Sequence, residues 1–305
     1  MSGKLVVLNK DEDSVSIIDA ESGTTKQKVG TDFNPHEVIV SANGEKTFVT
    51  CSLGNRINVI DNNGFEVIDR IEHDGFDFPH GLDVTPDGND LYMTSTYSEK
   101  IFSMNPDTHE IRDIIPTNQT WSHMIAIDAN AQTAYLSNIG SDNVTVFDLE
   151  TERTIEHFPV GGEPEGIAVH PNSRELYVAN QEDGDLYIID TDTYELKHEC
   201  DLGTCPIRVV FSPDGEYALV PNRESDDLSI VKTEFTRDGE IRPWEIKRIP
   251  VGVWPGGTVF NSEGSQAFVA NNKTNDISVI DIESLEEVDR FDAGIHPDGI
   301  AYLPN

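Results

Sequence analysis

Cysteine is scarce in this chain. Three occur in 305 residues, Cys51, Cys200 and Cys205, and an odd, low count excludes a disulfide framework. Cys51 reads as a small buried filler at the end of a predicted strand. Cys200 and Cys205 bracket a short loop, where a local bridge and two free thiols are both open. Basic residues are also few: 21 Lys and Arg stand against 56 Asp and Glu, a formal charge of −35. The acidic residues are spread over the whole length, and such a surface repels nucleic acid and anionic membranes. The composition is that of a halophilic-type chain, built for high salt; the alternative is an acidic partner-binding face. No apolar run approaches a membrane span. The stretch at 5–8 belongs to the first repeat rather than to a leader, so the expected compartment is the cytoplasm, with a trimmed secreted protein as the alternative. A glycine-rich phosphate loop, a Gly-x-Ser-x-Gly elbow, a Cys-x-x-Cys pair and a basic stripe are all missing. Phosphoryl transfer, serine hydrolysis, thiol redox chemistry and nucleic-acid binding thus lack their usual devices.

What is present is a repeat. Pro35-His36-Glu37, Pro79-His80-Gly81, Ser122-His123-Met124, Pro164-Glu165-Gly166, Pro206-Ile207-Arg208, Pro255-Gly256-Gly257 and Pro297-Asp298-Gly299 each open an apolar run. Successive markers lie 44, 43, 42, 42, 49 and 42 residues apart. Each unit holds three short runs rich in β-branched and aromatic residues, such as Ile167-Ala168-Val169, Leu176-Tyr177-Val178 and Leu186-Tyr187-Ile188, then a more polar fourth. Turns such as Pro86-Asp87-Gly88 separate them. Four antiparallel strands per unit of this length match a propeller blade. The expectation is an all-β, seven-bladed β-propeller forming a single domain over 1–305. The chain begins at a second strand and ends on an innermost one, so the C-terminal strand would complete the N-terminal blade; an open β-solenoid would not need that offset. The long spacing of 49 places an insertion around 233–244, on the face away from the marker loops.

These residues carry a resemblance. "YVAN" at 177–180, "FVAN" at 268–271, "AYLSN" at 134–138, "PEGIAVHP" at 164–171 and "PDGIAYLP" at 297–304 resemble the motif of the YVTN-repeat, surface-layer-protein-like propellers, over the whole chain. The resemblance implies the propeller fold. Functions known among such proteins and their relatives include extracellular scaffolds, lactonases, a streptogramin-inactivating lyase and metal- or heme-carrying reductases.

Innermost strands of a propeller line its axis, so equivalent slots converge although they are remote in sequence. Around the ring the marker slots are Asp298, His36, His80, His123, Glu165, Ile207 and Gly256. Three imidazoles and two carboxylates of this kind could hold a divalent transition metal; copper, iron, zinc and manganese all suit them. Candidate metal ligands are therefore His36, His80, His123, Glu165 and Asp298, with Asp298 alternatively fixing the His36 ring. Glu165 and Arg208 are candidate catalytic residues, as general base and as carboxylate clamp, although Arg208 could instead pair with Glu165 or Glu163. Phe78, Trp121 and Trp254 precede their markers and are candidate walls of a pocket, or else pack between blades. His73, His109, His157, His170 and His198 read as ordinary solvated residues. The expected function is a metalloenzyme, an oxidoreductase or a lyase or lactonase, acting on a small molecule at the channel mouth. The alternatives are a copied structural histidine, a metal-free pocket, and a non-catalytic scaffold binding protein or polymer; whether the chain is an enzyme is left open.

Overall fold

The computed structural model describes residues 3–237 and 239–305. They form seven four-stranded antiparallel sheets, the blades of a β-propeller. No helix among them is long and apolar enough to cross a membrane. The innermost strands are Pro297–Pro304, Pro35–Val40, Pro79–Val84, Ser122–Ile127, Pro164–Val169, Val210–Phe211 and Pro255–Phe260. The ring closes as the sequence predicts: Pro297–Pro304 pairs antiparallel with Gly3–Asn9 and completes the first blade. In six blades the marker opens the innermost strand itself rather than lying in the preceding loop. In the sixth blade only Val210–Phe211 is regular strand, and Pro206 joins Asn222 through an isolated bridge.

Apolar burial explains the ring. The second and third strands of each blade bury both faces, as in Thr133–Asn138, while the outer strands are mostly exposed. The core is split into seven clusters, one at each blade interface. Neighbouring innermost strands approach closely because a glycine follows the marker in four blades. A Cβ on Gly81, Gly166, Gly257 or Gly299 would lie 2.1–2.7 Å from the next strand's backbone. The recurrent asparagine that ends the second strand is buried: the Asn271 amide donates to Asp276 at 2.7 Å and to Ser278 at 2.9 Å. Asn9, Asn138 and Asn222 make the same pair of bonds in their blades.

The insertion lengthens the third and fourth strands of the sixth blade, Asp227–Arg237 and Glu240–Pro250. It leans on the fifth blade, where the Cys200 thiol donates to the Pro243 carbonyl at 3.3 Å. Cys51, Cys200 and Cys205 are all free, so Cys200 and Cys205 form no bridge; Cys51 is fully buried, as expected.

Candidate functional site

Two local devices aim side chains at the mouth of the channel. The first is a bulge. Strand pairing shifts register just after the marker in six blades, between Pro79 and Leu82 for example, and a bulge re-aims the side chain it contains. The second is a left-handed residue directly before each marker. Asn34, Phe78, Trp121, Glu163, Cys205, Trp254 and His296 all have φ between 51° and 61°, a conformation costly for residues with a Cβ. Backbone bonds fix it. In all seven cases the carbonyl accepts from the amide that follows the second strand: Lys10, Ser52, Thr96, Ile139, Gln181, Arg223 or Asn272. In five cases the amide donates to an Asp or Asn side chain in the preceding blade's hairpin, as Trp254 does to Asp226 at 2.9 Å.

The mouth is a cup of about 380 Å³. Of the candidate site residues, His36, His123, Glu165, Asp298, Phe78 and Trp254 line it. Three other predicted residues do not. His80 is completely buried, because its ring is covered by its neighbours: it stacks on His123 with centroids 3.6 Å apart and lies edge-on to His36 at 4.5 Å. Neither of its ring nitrogens has a hydrogen-bond partner. Trp121 stands outside the lining, 46 % exposed, with its ring edge-on to Tyr97. Arg208 is buried and bonded to protein carboxylates rather than free to clamp a substrate: it donates to Glu165 at 2.9 Å and contacts Glu37 across the channel. Neither Arg208 nor Glu37 lines the cup; their contact ties the sixth blade to the second.

Sequence reasoning missed Glu37, Ser52, Thr96, Lys10, Arg223 and Lys273. Ser52, Thr96, Lys10 and Arg223 occupy the slot after the second strand, a fixed repeat position that could have been read. Lys10 donates to His36 Nε2 at 2.7 Å and to Asp298 at 2.8 Å. An ammonium only donates, so His36 carries its proton on Nδ1 and gives it to Ser52 Oγ, 3.2 Å away. His123 Nδ1 meets Thr96 Oγ1 at 3.2 Å, and its Nε2 engages no described protein group.

Burial and nearby cations hold His36 and His80 well below the ordinary imidazole pKa, and burial takes His123 down to about 4. All three are neutral at pH 7. Burial pushes Glu37 up to about 7, against the pull of Arg208. Burial also works to raise Glu165 and Asp298, but Arg223 and Arg208 outweigh it at Glu165 and Lys10 does so at Asp298, and both stay below the usual carboxylate range. Among the described residues no three His, Cys, Asp or Glu side chains are arranged to hold a metal ion. His80 and His123 meet by their faces, not by their nitrogens. A larger groove of about 640 Å³ lies at the far end of the first and seventh blades; Glu21, Glu263 and Asp289 are its charged lining residues, and none of the mouth histidines reaches it.

The fold places the chain in the class of seven-bladed β-propellers. The cytochrome D1 heme domain model matches residues 118–242. Among solved structures, a functionally unknown protein from Desulfotomaculum acetoxidans is 16 % identical over 99 % of both chains, with a TM-score of 0.85. A provisionally named 6-phosphogluconolactonase from Bacteroides fragilis is 15 % identical over 99 % of this chain and 98 % of its own, with a TM-score of 0.79. A dihydro-heme d1 dehydrogenase, in complex with DHE, is 13 % identical over 98 % of this chain and 74 % of its own, with a TM-score of 0.70. No curated protein matches by sequence. Identities this low establish a shared architecture, and one architecture hosts many activities.

Proposed function

We propose that the cup binds a small anionic molecule and acts on it through its neutral imidazoles. One observation carries this reading: three basic side chains gather at one cavity, and one of them, Lys273, pairs with none of the carboxylates that line it. In a chain with 21 basic and 56 acidic residues, Lys10, Arg223 and Lys273 line a single cavity, beside Asp11, Glu165 and Asp298. A net charge of −35 repels anions at long range, so such a molecule needs a local cation to meet it. His123 is the base. Thr96 holds its Nδ1, leaving Nε2 to take a proton, and a bound anion beside it would raise its pKa from about 4 toward the working range of a general base. Proton transfer of this kind serves elimination or lactone opening. The test is calorimetric titration of the intact protein at low salt with small carboxylates and with phenyl phosphate, on the wild type and Arg223→Gln. Binding to the wild type, weakened roughly tenfold in the variant, is expected. Absence of binding by every anion would sink the reading.

A second reading puts a transition metal at the mouth. Its support is His123, which lies in the segment matched by the heme-domain model and keeps Nε2 free of protein partners. The other candidate ligands fit less well. His36 Nε2 is taken by Lys10, His80 is covered, and Asp298 and Glu165 are engaged by Lys10 and by Arg208 and Arg223. These residues would suit a metal carried by its own macrocycle, with His123 as the protein donor that would hold it, better than bare copper, iron, zinc or manganese held by three imidazoles. Such a group would supply electron transfer. Titration with hemin should give a Soret shift lost in His123→Ala and kept in His80→Ala. Failure to retain hemin or any of the four ions in stoichiometric amount rules this reading out.

A further inference from the structure

The carboxylates that line the cup already have partners. Asp298 receives Lys10 at 2.8 Å, Glu165 receives Arg223 at 3.1 Å and Asp11 receives His296 Nδ1 at 2.6 Å. Lys273 is the lining cation that none of them meets. Its ammonium lies over the Trp254 ring, 4.7 Å from the centroid, and the Arg223 guanidinium lies over the same ring at 5.8 Å, so both make cation–π contacts with the indole. Trp254 is 41 % exposed, although its backbone is pinned on both sides, through Asp226 and through Asn272. The adjoining marker is Gly256, the one slot in the ring without a side chain. A Cβ there would find nothing nearer than Asp298 Oδ1 at 3.5 Å. A rigid, partly exposed indole, a slot without a side chain and a lysine that meets none of the lining carboxylates thus share one corner.

We infer that this corner is a subsite for a monocarboxylate borne on a flat apolar body, the ring lying against Trp254 over Gly256 and the carboxylate on Lys273. The inference rests on the anion-binding reading of the cup and narrows it to a substrate class. A single spare cation matches a single negative charge. A second charge, as on a phosphate ester, would face Asp298 and Glu165 with no cation left to balance it. A flat face suits an indole, which stacks on planar groups.

The experiment is calorimetric titration of the intact protein with benzoate, its neutral isostere benzamide, and phenyl phosphate, on the wild type, Lys273→Gln, Lys273→Arg and Arg223→Gln. Thermal melts establish that each variant is folded. Benzoate should bind the wild type at least roughly tenfold more tightly than benzamide or phenyl phosphate. Lys273→Gln should erase that preference and Lys273→Arg should restore most of it. Equal binding of benzoate and benzamide overturns the inference. So does preferential binding of phenyl phosphate. Benzoate binding that survives Lys273→Gln but falls in Arg223→Gln also overturns it, while leaving the anion site intact. No binding by benzoate or phenyl phosphate removes both.

Discussion

His80 has two ring nitrogens without hydrogen-bond partners inside a wall of His36, His123 and Phe78, with Glu37 Oε1 3.7 Å from its Nε2. Leaving such groups buried and unpaired costs about 1–3 kcal/mol. His80→Phe keeps the ring and removes the nitrogens, so it should stabilise the fold at pH 7 by about that amount in urea denaturation. The advantage should grow in acid. The pKa of His80 is lowered in the fold by burial, so between the unfolded value of about 6.5 and the folded one the unfolded chain holds a proton that the folded chain lacks. Stability then falls as pH drops below about 6.5, by up to about 1.4 kcal/mol per unit for each such histidine. His36 and His123 act in the same direction. Glu37, pushed up to about 7, acts oppositely: its contribution is present at low pH and is lost as pH rises through that value. The variant keeps the Glu37 effect and sheds one histidine. A gap between wild type and variant that stays flat from pH 7 to pH 5 would refute this account.

At the scale of strands, the glycine after the marker sets the radius of the ring. A Cβ on Gly166 would sit 2.7 Å from the backbone of Arg208, whereas one on Gly256 meets nothing closer than 3.5 Å. Gly166→Ala should therefore cost about 2–3 kcal/mol in denaturation, and Gly256→Ala well under about 1 kcal/mol. Equal costs would mean that strand spacing is not what these glycines serve. The strands themselves were legible in the sequence, since short turns and β-branched runs recur with every repeat of 42–49 residues. The convergence of His36, His123, Glu165 and Asp298 was legible too, because equivalent repeat positions must share an end of the axis. Two things were not. The slot holding Lys10, Ser52, Thr96 and Arg223 has no common residue type, because its constant duty belongs to the backbone amide. The pair of Arg208 and Glu37 joins residues 171 apart on opposite sides of the channel, and no local pattern announces it. Whether imidazoles meet by nitrogen or by face is set by side-chain rotation, which repeat position leaves undetermined.

At the scale of the molecule, seven interface clusters and one closing strand make the ring a single cooperative body. It carries a charge of −35, and mutual repulsion among exposed carboxylates works against that compactness. Salt shortens its reach to about 3 Å at 1 M. The melting temperature should accordingly rise by several degrees between about 0.05 M and about 2 M potassium chloride; a fall would show that ion pairs such as Arg56 with Asp32 outweigh the repulsion.

The pinned left-handed residues have an evolutionary consequence. Their backbone is held by a backbone amide and, in five of the seven, by an Asp or Asn side chain from another segment, so the identity of each protruding group is nearly free of folding constraint. Tryptophan, cysteine, glutamate and histidine already occupy the same kind of seat. Randomising just those seven codons would yield a population of rims on one unchanged chassis, and new specificities could be selected from it without re-engineering the body beneath.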